Sequence, residues 1–325
     1  MDFVSRTTHL MGATITISIV PTFAEPQFTD RSADSDVAYA EHLLDKVFNL
    51  LQIYNQRFSA NDIDSELMQI NLAAGKQPIE VNPELFELIK IGKTHSLHPK
   101  SHLNIALGPL VQTWRIGFSD ARIPNQTELE QALLLTDPTD IKLDASNCTV
   151  FLDKRGMKLD LGCLAKGYIA DKLADYLKNQ KVTSAIINLG GTIRTIGTNE
   201  LTNRFWRIGI QNPLKPRGTN LAVLPIQNQS VVTSGVYERK LQVNGKSYHH
   251  ILDRKTGYPT QTQVTSLTIV SDTSLDGEIW TTRLFGEKPH DILEYVEKES
   301  GIDAFIITEE NRVYHSSGIA PELVF

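Results

Sequence analysis

Polar and apolar residues alternate along Thr14-Ile15-Thr16-Ile17-Ser18-Ile19, which is the period of a half-buried strand. Pro21 to Asp36 is polar and carries no period. Leu43, Leu44, Val47, Phe48, Leu51 and Tyr54 then recur at helical spacing, predicting a long amphipathic helix from about Asp36 to Tyr54. Asn82-Pro83-Glu84 places a capping side chain ahead of a first-turn proline, so a second helix is expected to start there. From Thr149 the pattern changes to short strands: Val150 to Asp160 around Lys154-Arg155-Gly156, Ser184 to Asn188, and Phe205 to Ile210. Helices are expected between them, over Leu164 to Lys178 and Leu275 to Phe285. This order is no regular βαβ alternation, so an α+β fold is expected over a doubly wound sheet. There is no internal repeat and no low-complexity linker.

Composition narrows the function classes. The 325 residues allow one large domain or two ordinary ones lying together. A net charge of -6 argues against general nucleic-acid binding, which needs a basic surplus for phosphates, and favours a protein or small-molecule partner. Cys148 and Cys163 are the two cysteines, without CxxC or Cys/His spacing, which implies neither a disulfide framework nor zinc. The first residues lack a basic start followed by an apolar run, and no stretch is long enough to span a bilayer. A cytoplasmic protein without a membrane span is expected, although a chain trimmed of a leader would read the same.

Three segments carry candidate chemistry. Lys240 to Tyr248 reads as a two-residue hairpin, because Asn244-Gly245 suits a type I′ turn. Its register pairs Val243 with Lys246, Leu241 with Tyr248 and Arg239 with His250, and sets His249 on the opposite face. His250 then runs into the sharp turn Lys255-Thr256-Gly257-Tyr258-Pro259, which would fix its backbone. A general base and a structural histidine are both compatible with that placement. Glu278 and Thr282 stand four apart and share a helix face, offering oxygen to a hard cation such as Mg²⁺, or simply to solvent. Leu159-Asp160-Leu161-Gly162-Cys163-Leu164-Ala165-Lys166 sets a turn before a helix with a lysine in its first turn. Free N–H groups and a cation there suit a phosphate, while an ordinary strand-to-helix turn reads the same. Asn188-Leu189-Gly190-Gly191 ends a strand in two glycines, but no Walker loop or GxGxxG fingerprint is present.

In this order the segments resemble the ApbE family of flavin transferases. The earlier matches are Met11-Gly12, Ser65-Glu66-Leu67 with Asn71, and Gly108-Pro109-Leu110-Val111 with Trp114. The later ones are Leu159 to Gly162 with Ala165 to Tyr168 and Asp171, Asn188 to Gly191, Thr233-Ser234-Gly235 with Tyr237-Glu238-Arg239, and His250 to Asp253 with Thr256 to Pro259. The resemblance implies one ApbE-like domain over residues 1–325, with room for two subdomains around a central FAD cleft and T-fold-like mixed sheets flanked by helices. It implies FAD contacts at Met11, Phe58, His102, Leu103, Asn104, Asp160, Lys166 and Leu252. It implies Mg²⁺ held by the Cys163 carbonyl and the Glu278 and Thr282 side chains. The implied reaction passes FMN from FAD to a threonine or serine of an acceptor flavoprotein and releases AMP, with His250 taking the hydroxyl proton. An FAD pyrophosphatase and a non-catalytic FAD-binding protein remain open alternatives. The chain departs from the family pattern at Glu278, usually aspartate, at Asn104, also usually aspartate, at Thr192, usually an acid, and at Arg254, usually proline.

Overall fold

The computed structural model describes residues 2–24 and 33–324. The alternating segment forms strand Ala13–Ile19, hairpinned to a strand over Val4–Leu10 whose mostly polar sequence gave no signal. Ile15, Ile17 and Ile19 are fully buried, while Thr16 and Ser18 bond to Thr7 and Ser5 across the outer face. These strands open an eight-stranded sheet that continues through Ala185–Leu189, Thr192–Ile196, Ser230–Gly235, Val264–Ser271, Ile302–Thr308 and Val313–His315. Its ladders are antiparallel throughout. The class is α+β, as expected from the irregular order of elements.

Helix Ala33–Phe58 outruns the expected Asp36 to Tyr54 at both ends. Part of the polar segment before it, residues 25–32, lies outside the described residues. Leu43, Leu44, Val47 and Leu51 pack into the main core with Ile15, Ile17, Ile187 and Leu189 from the sheet. Helix Ala165–Asn179 enters the same core through Tyr168, Ile169, Leu173 and Leu177. Asn82 caps helix Pro83–Leu97 by accepting from the Glu84 N–H, as its sequence predicts. Farther along, strand Val264–Ser271 is covered on both faces. Leu267 and Ile269 meet Trp280 and Leu284 of helix Ser274–Leu284, and Val270 meets a three-stranded sheet carrying Trp206, Ile208 and Leu224. Among the described residues no helix is long and apolar enough to cross a membrane.

One expected strand is absent. Of Val150 to Asp160 only Val150 to Leu152 is in a strand, Thr149–Leu152, whose partners are Ile141–Asp144 and Ile79–Glu80. The returning half is bonded elsewhere: the Asn71 side chain donates to the Leu159 carbonyl at 3.0 Å and accepts its N–H at 2.7 Å. Asp160 then donates its N–H to the Ile105 carbonyl at 2.9 Å. An amide side chain reproduces one rung of a ladder, so the alternating sequence is satisfied without a second strand. Asn71 sits on a short helix, Glu66–Leu72, that the periodicity left undetected and that Ser65 caps.

Candidate active site

The hairpin forms with the expected register, Val243 opposite Lys246 and Leu241 opposite Tyr248, and with Asn244 at φ 50°. Leu241 and Tyr248 rest on a small core made by Leu110, Trp114, Leu129 and Leu252. Past the hairpin, Asp253 ties the following turn together by accepting from the Lys255 and Thr256 N–H groups at 2.7 and 2.8 Å. Trp114, fully buried, donates its indole N–H to the Gly257 carbonyl at 2.7 Å. Arg254 donates to the Ser96 carbonyl at 2.7 Å near the end of helix Pro83–Leu97, which accounts for a cation where the resemblance has proline. The backbone on both sides of His250 is thereby held.

The two neighbouring histidines differ in what their rings touch. His249 donates from Nε2 to the Thr260 carbonyl at 3.0 Å and accepts the Ile251 N–H at Nδ1, so both of its nitrogens are engaged. His250 makes one ring contact among the described residues, from Nδ1 to the Arg239 carbonyl at 3.3 Å. Donation to that carbonyl places the proton on Nδ1 and leaves the Nε2 lone pair open. Burial, with the Arg239 guanidinium second, pushes the His250 pKa down to about 4, so its imidazole is neutral at neutral pH.

A second group assembles where two helices touch. Any side chain at Gly167 would strike the Ser274 carbonyl and Cγ of Glu278, so glycine lets helix Ala165–Asn179 lie directly on helix Ser274–Leu284. That contact sets the buried Glu278 carboxylate beside Lys166, whose Nζ lies 3.5 Å from Oε1. Thr192 donates to the same oxygen at 2.6 Å. Thr282 is half-buried one turn along, and its hydroxyl has no hydrogen-bond partner among the described residues. Burial pushes the Cys163 thiol far up, and the Asp160 and Glu278 carboxylates nearby push it further. The Cys163 carbonyl, the Glu278 carboxylate and the Thr282 hydroxyl together offer oxygens, a donor set suited to a hard cation.

The expected FAD-contacting residues divide into two kinds. Asp160 lies in the turn, accepting the Gly162 N–H at 2.8 Å; burial raises its carboxyl pKa, against the pull of that N–H and of Arg239. Met11 holds a positive φ of 54° at the tip of the first hairpin, where the adjoining Gly12 carbonyl accepts from Arg239 at 3.4 Å. Lys166 and His250 belong to the same neighbourhood, since the Lys166 charge contributes to lowering the His250 pKa. Phe58, Leu103, Asn104 and Leu252 face inward, whereas His102 is only partly buried. Phe58 is buried against Tyr54 and Tyr168, Leu103 is fully buried, and Leu252 lies in the small core under the hairpin. Asn104 donates to the Thr136 carbonyl and accepts the Ala106 N–H, and His102 meets Glu287 at 3.1 Å. The bond from Asp160 to Ile105 lays this last segment alongside the turn.

Arg239 faces His250 across the base of the hairpin, as the register predicts, and its sequence context alone assigns it no role. Its guanidinium reaches the Gly12 carbonyl, its stem crosses Gly117, and its charge acts on both Asp160 and His250. Such a cation beside a neutral base and a half-buried acid suits an anionic ligand.

Comparison with known proteins identifies the family and the fold. A family model described as the ApbE family matches residues 11–306. An FAD:protein FMN transferase of Klebsiella pneumoniae is 41% identical over 280 residues, covering 86% of each chain. Another from Treponema pallidum is 35% identical over 288 residues, covering 85% of this chain and 80% of that one. The ApbE protein of Thermotoga maritima shares the fold, with a TM-score of 0.85 over 98% of both chains at 24% identity.

Proposed function

Because the chain belongs to the ApbE family, we propose that it is a magnesium-dependent enzyme transferring FMN from FAD to a threonine or serine hydroxyl of an acceptor protein. The observation that carries this reading is the pairing of a neutral, backbone-anchored His250 with a cationic and carboxylate cluster at Arg239, Asp160, Lys166 and Glu278. His250 Nε2 takes the hydroxyl proton as the hydroxyl oxygen bonds to the FMN phosphorus. The bond from that phosphorus to the bridging oxygen breaks, and AMP leaves with the bridging oxygen. Lys166 and Arg239 hold phosphate oxygens and offset the charge that develops on them. Met11, Asp160 and His102 border the flavin nucleotide, with Phe58, Leu103, Asn104 and Leu252 supporting that wall from behind. The Cys163 carbonyl, Glu278 and Thr282 would hold Mg²⁺, which when bound neutralises pyrophosphate charge in the transition state.

Incubation with FAD, Mg²⁺ and a candidate acceptor is expected to add the mass of one FMN to the acceptor and to release AMP in equal amount. Release of free FMN at the same rate with and without acceptor would make the protein a pyrophosphatase. FAD retained without AMP release would make it a binding protein.

Arg239→Gln offers a check on the electrostatics. Removing a cation relieves the repulsion that holds the His250 pKa down, so that pKa rises toward the ordinary histidine value. The acid limb of kcat/KM against pH is expected to move to higher pH, so that the variant loses proportionately more activity at pH 5 than at pH 8. An unmoved acid limb would separate Arg239 from His250.

A further inference from the structure

Thr192 stands at the start of a strand paired on both sides, facing Val232 in one ladder while its neighbour Ile193 pairs with Asn188 in the other. Its backbone is therefore fixed, and a β-branched side chain has little freedom at χ1. The residue is 1% exposed, and its hydroxyl donates to Glu278 Oε1 at 2.6 Å across the space between sheet and helix. Lys166 approaches the same oxygen. Glu278 Oε2 carries no hydrogen bond among the described residues, although the glutamate is 5% exposed. One carboxylate oxygen is thus held by the protein from two directions and the other is left to a ligand.

We propose that Thr192 is a positioning residue for Glu278: its hydroxyl fixes Oε1 and thereby aims Oε2 at the divalent cation. Glutamate is longer than aspartate by one methylene and has one more rotatable bond, so it needs an external hold to meet the strict geometry of Mg²⁺. A donor at position 192 supplies that hold. An acid at 192 would instead face the Glu278 carboxylate at hydrogen-bond distance and repel it. Thr192 and Glu278 are in this sense one coupled pair. The inference rests on the assignment of Glu278 to the metal.

The test uses the full-length chain with Mn²⁺ alone as the probe, followed by electron paramagnetic resonance and calorimetry. Thr192→Val keeps the shape and removes the hydroxyl, and is expected to weaken Mn²⁺ binding about tenfold, the usual effect of losing an outer-shell partner. Thr192→Ser keeps the hydroxyl and is expected to restore wild-type affinity. In a Glu278→Asp background the shorter carboxylate is withdrawn from Thr192, so the valine substitution is expected to have little further effect. Unchanged Mn²⁺ affinity in Thr192→Val overturns the inference, as does failure of serine to rescue it, or an undiminished loss in the Glu278→Asp background. If the wild type takes up no Mn²⁺, or Glu278→Ala binds it as the wild type does, the metal assignment fails first and the inference with it. Wild-type binding that Glu278→Ala abolishes and Thr192→Val spares overturns the role of Thr192 alone.

Discussion

His250→Ala is expected to lower the rate of FMN transfer by about 10²- to 10⁴-fold, the range for loss of a general base, while FAD affinity stays that of the wild type. Two features set this apart from the effect expected of a structural histidine. His249 bonds at both ring nitrogens and contributes to holding the Thr260 segment, whereas His250 is anchored through Nδ1 alone. Burial and Arg239 also keep His250 neutral, the state that can accept a proton. Covalent FMN on the acceptor, followed under saturating FAD, reads the chemical step, and quenching of FAD fluorescence reads binding. The variant should still bind FAD and should form the FMN-bearing acceptor and AMP at the same lowered rate. Transfer at the wild-type rate would remove His250 from the reaction. A parallel loss of FAD affinity would make it a wall of the cleft.

Much of this site was legible because its geometry is local. The Asn244-Gly245 turn sets the hairpin register, and that register puts Arg239 opposite His250 without any knowledge of the fold. Helical spacing likewise puts Glu278 and Thr282 on one face of a helix observed over Ser274–Leu284. What stayed hidden depends on partners distant in sequence. Thr192 and Glu278 are 86 residues apart, and only the packing of sheet against helix brings them together. The role of Asn71 in satisfying Leu159 spans 88 residues, so nothing local in the sequence shows that the second half of Val150 to Asp160 forms no strand. Resemblance could supply ligand positions for Phe58, Leu103 and Asn104, but not the inward direction of their side chains.

Glu278→Gln is expected to abolish the dependence on Mg²⁺ and to lower transfer on the order of 10³-fold, since a bound cation contributes several kcal/mol to charge stabilisation at a phosphoryl centre. Glutamine is the informative replacement because its carbonyl oxygen can still accept from Thr192, so the packing of helix on sheet is preserved while the charge is removed. Alanine would also leave the Thr192 hydroxyl buried without an acceptor and Lys166 without its carboxylate, mixing a folding effect into the result. The decisive readout is a Mg²⁺ titration of the transfer rate at fixed FAD. A wild-type half-saturation point in the glutamine variant would place the cation elsewhere and leave Glu278 as the counter-ion of Lys166. A flat, low response, with FAD still bound and thermal unfolding unchanged, would tie the carboxylate to the cation. Glu278→Asp should then lie between the two, because it retains the charge but withdraws it from the hydroxyl that holds it in place.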